Sequence, residues 1–270
     1  MIKKKDKQYT LRLCQRTFGV LLMFALWECN ARFGLYHLVA PTLPLTYFPS
    51  LNEVFSAGLR AVIDQTYVIA LAQTVYRILV AFGIAAILGV FFALLAARSV
   101  VLDDLIYYPV EFFRQLPAVA VIPFAIMLFG IYTSMKIAVA VFGCFFPVFV
   151  ATREGLRSAE PGLVLTARTY KWTGLRLLFG VMFPSAVPHI LASFRITLAI
   201  SLILVVMSEM LVGGDGLGVR IVEKERAFDF SGLYAETFLL GIIGVVLNLA
   251  LEVVSRRLYY WREDEVWRPN

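Results

Sequence analysis

A helix that crosses a bilayer needs about 20 consecutive, mainly apolar residues, because in hydrocarbon its backbone N–H and C=O groups find no partner outside the helix itself. This chain supplies such stretches repeatedly, at 17–37, 73–97, 117–131, 135–152, 189–211 and 236–256. The third is short and carries Pro117 and Pro123, which predicts a kinked helix enclosed by its neighbours. Hydrophobic residues make up 60% of the 270, against about 45–50% apolar in an ordinary soluble domain, and mean hydropathy is +0.78. The expected fold class is therefore all-α: a polytopic membrane protein with about six transmembrane helices.

A formal charge of +6 raises nucleic acid as a partner, so the position of the cations matters more than their sum. With the amino terminus inside, the inner side holds seventeen Lys and Arg, and the outer loops hold five: Arg60, Lys136, Arg220, Lys224 and Arg226. Membrane proteins collect Lys and Arg in cytoplasmic loops. That bias accounts for the charge without nucleic acid and predicts a cytoplasmic N-terminal segment over 1–16, a transmembrane domain over 17–256 and a cytoplasmic C-terminal tail over 257–270. The basic start and first apolar run resemble a signal peptide, but Glu28, Asn30 and Arg32 stand where small cleavage-site residues belong, which predicts a retained first span. The longest outer segment, before the second span, is punctuated by proline and reads as a connection rather than a second domain. Cys14, Cys29 and Cys144 are too far apart to indicate a disulfide framework or a thiolate metal site.

Reactive chemistry is missing. The chain contains no G-x-x-x-x-G-K-[ST] phosphate loop, no H-E-x-x-H pair and no G-x-S-x-G elbow, and His37 and His189 each stand alone. No catalytic residue, nucleotide site or metal site is expected. Two intramembrane acids need explanation. Glu28 precedes Arg32 by four residues, the spacing at which a carboxylate and a guanidinium pair on one helix face. Glu209, in VVMSEMLVGG, has no cation nearby in the sequence; a solute pathway, a loop N–H and a partner subunit are all open as its environment.

The stretch LTARTYKWTGLRLLFGVMFP, residues 165–184, is amphipathic and basic between two very apolar segments. Pro161 suits the first turn of a helix, Gly162 to Tyr170 continue it, Lys171–Gly174 can turn, Leu175 to Phe183 resume helix and Pro184 is expected to stop it. Leu163, Ala167, Leu175, Leu178 and Val181 are expected to pack on the bundle, with Arg168, Lys171 and Arg176 facing the cytoplasm. Such a piece is either a helix lying on anionic lipid or a docking element for a partner.

Its spacing resembles the "EAA" loop of membrane permease subunits in ATP-binding-cassette importers, E-A-A, three residues, G, nine residues, I-x-L-P. Leu165, Thr166 and Ala167 take the E-A-A place, Lys171 the glycine place, Val181 and Phe183 the I and L places, and Pro184 the closing proline. LAQTVYRILVAFGIAAILGVFFALLAARS at 71–99, EFFRQLPAVAVIPFAIMLFGI at 111–131 and FRITLAISLILVVMSEMLVGGDGLG at 194–218 are similar to the nitrate, taurine and aliphatic-sulfonate branch of that family. Two positions depart from the pattern: Leu165 replaces the glutamate and Lys171 the glycine. A side chain held in the left-handed conformation costs about 1–2 kcal/mol, so either Lys171 bears that strain or the turn has another shape.

The resemblance implies a type I importer permease (MetI-like) fold in a bacterial inner membrane, with both termini cytoplasmic. It implies as partners a cytoplasmic ATPase dimer, a second permease copy or paralogue, a periplasmic or lipid-anchored substrate-binding protein, and membrane lipid. No cofactor is bound by this chain; ATP and Mg belong to the ATPase. Within the loop of about 153–188, the implied coupling residues are Leu165, Thr166, Ala167, Arg168, Lys171, Trp172, Gly174 and Pro184, with Arg168 and Trp172 as leading contacts. Pro123, Ser201, Ser208 and Glu209 are candidates for the translocation pathway of a small solute, anionic by analogy with the branch. Gly213, Gly214, Gly216 and Gly218 are candidates for an outer gate turn, where glycine tolerates positive φ. A carrier or channel that needs no ATPase, and a non-transporting assembly subunit, are the alternatives.

Overall fold

Helix is the secondary structure throughout the computed structural model, which describes residues 18–19, 22–34 and 47–258 and has no strand among them. In chain order the elements are α1 (22–33), α2 (Leu51–Ile63), α3 (Gln65–Ala96), α4 (Val100–Phe113), a 3-10 turn (Ala118–Val121), α5 (Ile122–Phe129), α6 (Thr133–Arg157), α7 (Pro161–Thr169), α8 (Gly174–Leu177), a π turn (Leu178–Met182), α9 (Phe183–Val212), α10 (Leu217–Arg226) and α11 (Phe230–Leu258). Cys14, His37 and the tail from residue 259 lie outside the described residues, as do all of the N-terminal segment's cations and part of the predicted 17–37 span.

Four stretches are long and apolar enough to cross a bilayer: α3, α6, the continuous run Gly174–Val212, and α11. A fifth is a bent pair, α4 followed by Ala118–Phe129, whose halves meet at 92°. This agrees approximately with the expected six and corrects the third. Pro123 sits in the first turn of α5, where a missing N–H is harmless, and Gly130, at φ +68°, ends that helix after eight residues. Eight residues rise only about 12 Å, well short of a hydrocarbon core of about 30 Å. The segment predicted as an inner loop, 98–116, is largely α4, capped by the Ser99 hydroxyl accepting from the Leu102 N–H.

The chain divides into two compact units. The first comprises Met1–Tyr67 and Ile221–Leu239. Within it α2 starts at a reciprocal cap of Ser50 and Glu53 and buries Val54 and Ala57 with Ala235. Trp27 packs edge-on against Phe48, Tyr234 and Phe238 and donates its indole N–H to the Pro49 carbonyl. Glu28 pairs with Arg32 at 2.7 Å, as their spacing predicts, and also accepts from the Leu51 N–H.

The second unit comprises Val68–Arg220 and Leu240–Asn270, and its centre is the packing of α6 on α9. Small residues permit that approach. A Cβ on Gly143 would lie 2.3 Å from Leu204 Cδ1, and one on Gly155 would lie 3.0 Å from the Ala186 Cα. Around this seam Ile78, Ala81, Ala140, Leu198 and Val205 form one apolar cluster, and Ala93, Ala96, Val110 and Phe149 tie α4 to α3 and α6 in another. In the second unit's part of α11 the apolar side chains Ile242, Val245, Val246, Leu249, Val253 and Val254 are exposed, as lipid or a partner chain requires.

Since the obstacle at Gly155 includes backbone, it cannot rotate away. Gly155→Val is expected to cost about 1–3 kcal/mol by overpacking, seen as a lowered thermal midpoint of the detergent-solubilised protein. Gly83→Ala, whose added carbon would meet nothing within 4 Å, is expected to hold or slightly raise that midpoint, since alanine is favoured over glycine within a helix by about 0.5–1 kcal/mol.

Candidate functional site

A charge inside a bilayer survives only with a partner, and four side chains of the second unit solve that problem together. Arg77, on α3, is 1% exposed and Glu209, near the end of α9, is fully buried. The Arg77 Nη1 donates to Glu209 Oε1 at 2.6 Å and to the Asp215 carbonyl at 2.8 Å; its Nη2 donates to Asp215 Oδ1 at 2.6 Å and to Thr133 Oγ1 at 3.0 Å. Glu209 also accepts from the Thr74 hydroxyl and, at 3.0 Å, from the Gly218 N–H, while Thr74 accepts from the Leu217 N–H. In place of the loop N–H left open for Glu209, the Gly218 N–H in the first turn of α10 is present, and the cation absent from its local sequence comes from 132 residues away.

Lys136 completes the cluster and corrects an expectation. Counted from the sequence as an outer-loop cation at the edge of the 135–152 span, it lies in the first turn of α6, which begins at Thr133, and is 1% exposed because Asp215 accepts from its ammonium. Its Nζ donates to the Asp215 carbonyl at 3.0 Å and to Asp215 Oδ1 at 3.4 Å. Partial burial pushes the Asp215 carboxyl up, but the hydrogen bond and charge of Arg77, with the charge of Lys136, outweigh it and hold the group below its ordinary range. Two cations face two anions, so the cluster is neutral overall and suits a lock better than an ion site.

The glycines candidate for an outer gate close over this lock. Gly213 caps α9 at φ +82°, and Gly214 and Gly216 follow at +93° and +117°. A Cβ on Gly216 would lie 2.3 Å from the Glu209 carboxylate, and one on Gly218, already helical, 2.5 Å from the Val206 carbonyl. The structure thus joins Glu209 and the glycine run, which the sequence presented as separate features. The other pathway candidates are not brought to them. Pro123 is exposed on α5. Ser201 and Ser208 are fully buried, donating to the Ile78 carbonyl at 3.0 Å and the Leu204 carbonyl at 2.7 Å. An open groove of about 590 Å³ lies elsewhere in this unit, with Arg114, Gln115 and Glu154 as polar lining and Gly143, Pro147 and Leu204 as apolar lining.

In the basic stretch, Glu160 and Pro161 begin α7, and Lys171 follows it at φ +58°. Of the two possibilities at the glycine place, Lys171 bears the strain. The turn is closed by the Lys171 N–H donating to the Arg168 carbonyl and the Trp172 N–H to the Ala167 carbonyl, and Gly174, at φ +56°, opens α8. Trp172 folds back so closely that a Cβ on Gly180 would lie 2.5 Å from its ring, and the Arg176 guanidinium stands 4.7 Å above it. Pro184 does not stop the helix, contrary to expectation. It falls in the first turn of α9 directly after the π turn Leu178–Met182, and helix continues to Val212. The wider turn changes the register of the ladder just where proline has no N–H to give.

Burial in this stretch also differs from the predicted faces. Ala167 and Leu178 are buried as expected, but Leu163 and Leu175 are exposed, and they lie in an exposed set that includes Thr166, Arg168 and Lys171. Leu165, at the place of the motif's glutamate, is 64% exposed, and Tyr170 is 74% exposed. The surface is apolar and cationic at once.

Arg77, Thr74, Thr133 and Asp215 had no role in the sequence reading, and Lys136 entered it only as an outer-loop cation. A signal was available: one arginine in the second span and one acid in the fifth had to find partners. Among the described residues no group of His, Cys, Asp or Glu is arranged to hold a metal.

Residues 85–260 match the family described as the binding-protein-dependent transport system inner membrane component. A probable ABC transporter permease protein of Brucella abortus (strain 2308) is 34% identical over 154 residues, 57% of this chain and 62% of that protein. The chain therefore spans less than two thirds of that relative's length. A putative aliphatic sulfonates transport permease protein of Bacillus subtilis (strain 168) is 25% identical over 249 residues, 91% of this chain and 88% of that protein. Among solved structures, the inward-facing MetNI methionine ABC transporter aligns with a TM-score of 0.57 at 20% identity, over 72% of this chain and 94% of that chain; at that identity the likeness establishes the fold.

Removing one member of a buried pair strands the other, at a cost of about 3–5 kcal/mol. Glu209→Leu is therefore expected to abolish recovery of folded, monodisperse protein in detergent, with Glu209→Gln, which keeps one of the two acceptor oxygens, recovering part of it. Lys171→Gly is expected to stabilise the turn by up to about 1.5 kcal/mol, the left-handed strain of about 1–2 kcal/mol less glycine's extra entropy of about 0.5–1 kcal/mol. Slower amide exchange across α7 would register the gain, and Lys171→Ala should show none.

Proposed function

The chain belongs to the family of binding-protein-dependent transport system inner membrane components, and we propose that it is the permease subunit of an ATP-binding-cassette importer. Paired with a second copy or a paralogue, it lines the passage for a small solute delivered by a periplasmic or lipid-anchored substrate-binding protein. Having no phosphate loop of its own, it takes its work from a cytoplasmic ATPase dimer that holds the ATP and Mg. The charge bias of the loops supports cytoplasmic termini, and the sulfonate permease among its relatives supports an anionic solute.

The observation that carries this function is the segment from Pro161 to Pro184. It holds the register of the family's coupling loop, and it keeps Leu163, Leu165, Arg168, Tyr170 and Lys171 exposed while anchoring itself through Ala167 and Leu178. A surface rich in exposed apolar side chains and cations, on a helix braced by its own turn, suits a groove in a partner better than water. Leu165 makes the contact at the motif's glutamate place apolar instead of ionic. Trp172, packed on Gly180 and Arg176, shapes the turn rather than reaching outward, so Arg168 and Leu165 are the leading contact residues.

Purification of the intact particle in mild detergent is expected to recover a nucleotide-hydrolysing subunit in two copies. Replacing Leu165 by Asp together with Arg168 by Glu is expected to remove that subunit and reduce uptake by at least about 100-fold, with membrane insertion retained. Uptake that survives this double change would reject the importer in favour of a carrier that needs no ATPase.

A further inference from the structure

Arg153 and Arg157 form the last two turns of α6, and α7 begins four residues beyond Arg157. Both arginines close on one carboxylate, Asp103 of α4. Arg153 binds it through two nitrogens, Nε to Oδ1 at 2.6 Å and Nη2 to Oδ2 at 2.7 Å, and Arg157 Nη2 donates to Oδ2 as well. Tyr107, one turn along α4, holds its ring 3.9 Å under the Arg153 guanidinium. Asp103 is 8% exposed. A bidentate, charge-assisted pair with a second guanidinium and a cation–π contact resists sliding and rotation in a way that apolar packing does not.

The other end of α4 reaches the groove. Arg114, its C-terminal cap, and Gln115 and Leu116 beyond it line the 590 Å³ groove together with Ala118, in the half of the pair that turns through 92°. One helix, with Pro109 in its second half, therefore runs from the root of α7 to the groove wall, and its ionic attachment to the root is a single carboxylate, with the Tyr107 ring beside it.

We infer that Asp103 is a positioning residue that transmits displacement of α7 to the groove wall through α4. The inference rests on the importer function proposed above. When the ATPase moves α7, the end of α6 moves with it, Arg153 and Arg157 carry Asp103, and α4 carries Arg114 to Ala118. Without the carboxylate, the arginines can slide past α4, which keeps only the Tyr107 ring contact and apolar contacts to Ala93 and Ala96 of α3 and Phe149 of α6.

The test measures solute taken up per ATP hydrolysed by the complete importer in proteoliposomes, a ratio that loss of assembled particles does not change. Asp103→Asn is expected to leave the ATPase bound and hydrolysis within about twofold of the unaltered protein while lowering the ratio about fivefold or more. Asp103→Glu, which keeps the charge, is expected to recover most of the ratio. Arg157→Gln leaves the bidentate Arg153 pair in place and is expected to lower the ratio about twofold; it serves where Asp103→Asn does not assemble. An unchanged ratio in an ATPase-bearing particle, or uptake and hydrolysis falling together, overturns the role of Asp103 and leaves the importer function standing. A particle with no ATPase overturns both.

Discussion

The second unit depends on a guanidinium that has nowhere else to go. In hydrocarbon Arg77 must pair or distort its surroundings, and its partners lie on three other segments: Thr133 opening α6, Glu209 ending α9, and Asp215 in the turn beyond it. Pairing of buried ions is weak evidence for net stability, since desolvation offsets much of the attraction. Its consequence here is register. Only one axial position of α3 against α9 lets Arg77 reach Glu209 while the Gly218 N–H completes the carboxylate, and only glycine at 216 lets the turn come down on that carboxylate.

Where α7 and α8 meet, the local backbone is strained and the packing holds it. Lys171 occupies a left-handed conformation without glycine's freedom, and the neighbouring Trp172 is clamped by Gly180 below and Arg176 above. The π turn lets Pro184 enter a long helix instead of ending it, so a movement of the proposed docking turn passes directly into α9. The same turn is linked to α4 through Arg153, Arg157 and Asp103. Load entering at α7 thus has two outlets, a continuous helix and an ionic clamp.

Much of this was legible beforehand, for reasons that can be named. The long helices follow from the length of their apolar runs, the Glu28–Arg32 pair from helical spacing, and the turn at Lys171 from the register of the loop motif. The misreadings have physical causes as well. Lys136 looked like a loop cation because a charge at the edge of an apolar run is ordinarily left in water, whereas Asp215 made it possible to bury this one. Pro184 looked like a stop because a π turn leaves no mark in a single sequence. Leu163 and Leu175 looked like core because periodicity assigns an apolar residue to a face without saying what covers that face.

What the amino-acid sequence determines by itself is the class of solvent and the class of fold: apolar runs of bilayer length leave helix as the means of satisfying the backbone, and the loop spacing marks the turn at which a partner is proposed to dock. Tertiary structure alone decided the pairing of charges between helices. Arg77 with Glu209 and Asp103 with Arg153 are separated by 132 and 50 residues, and the energy that selects them is Coulombic and short-ranged in space while having no period along the chain.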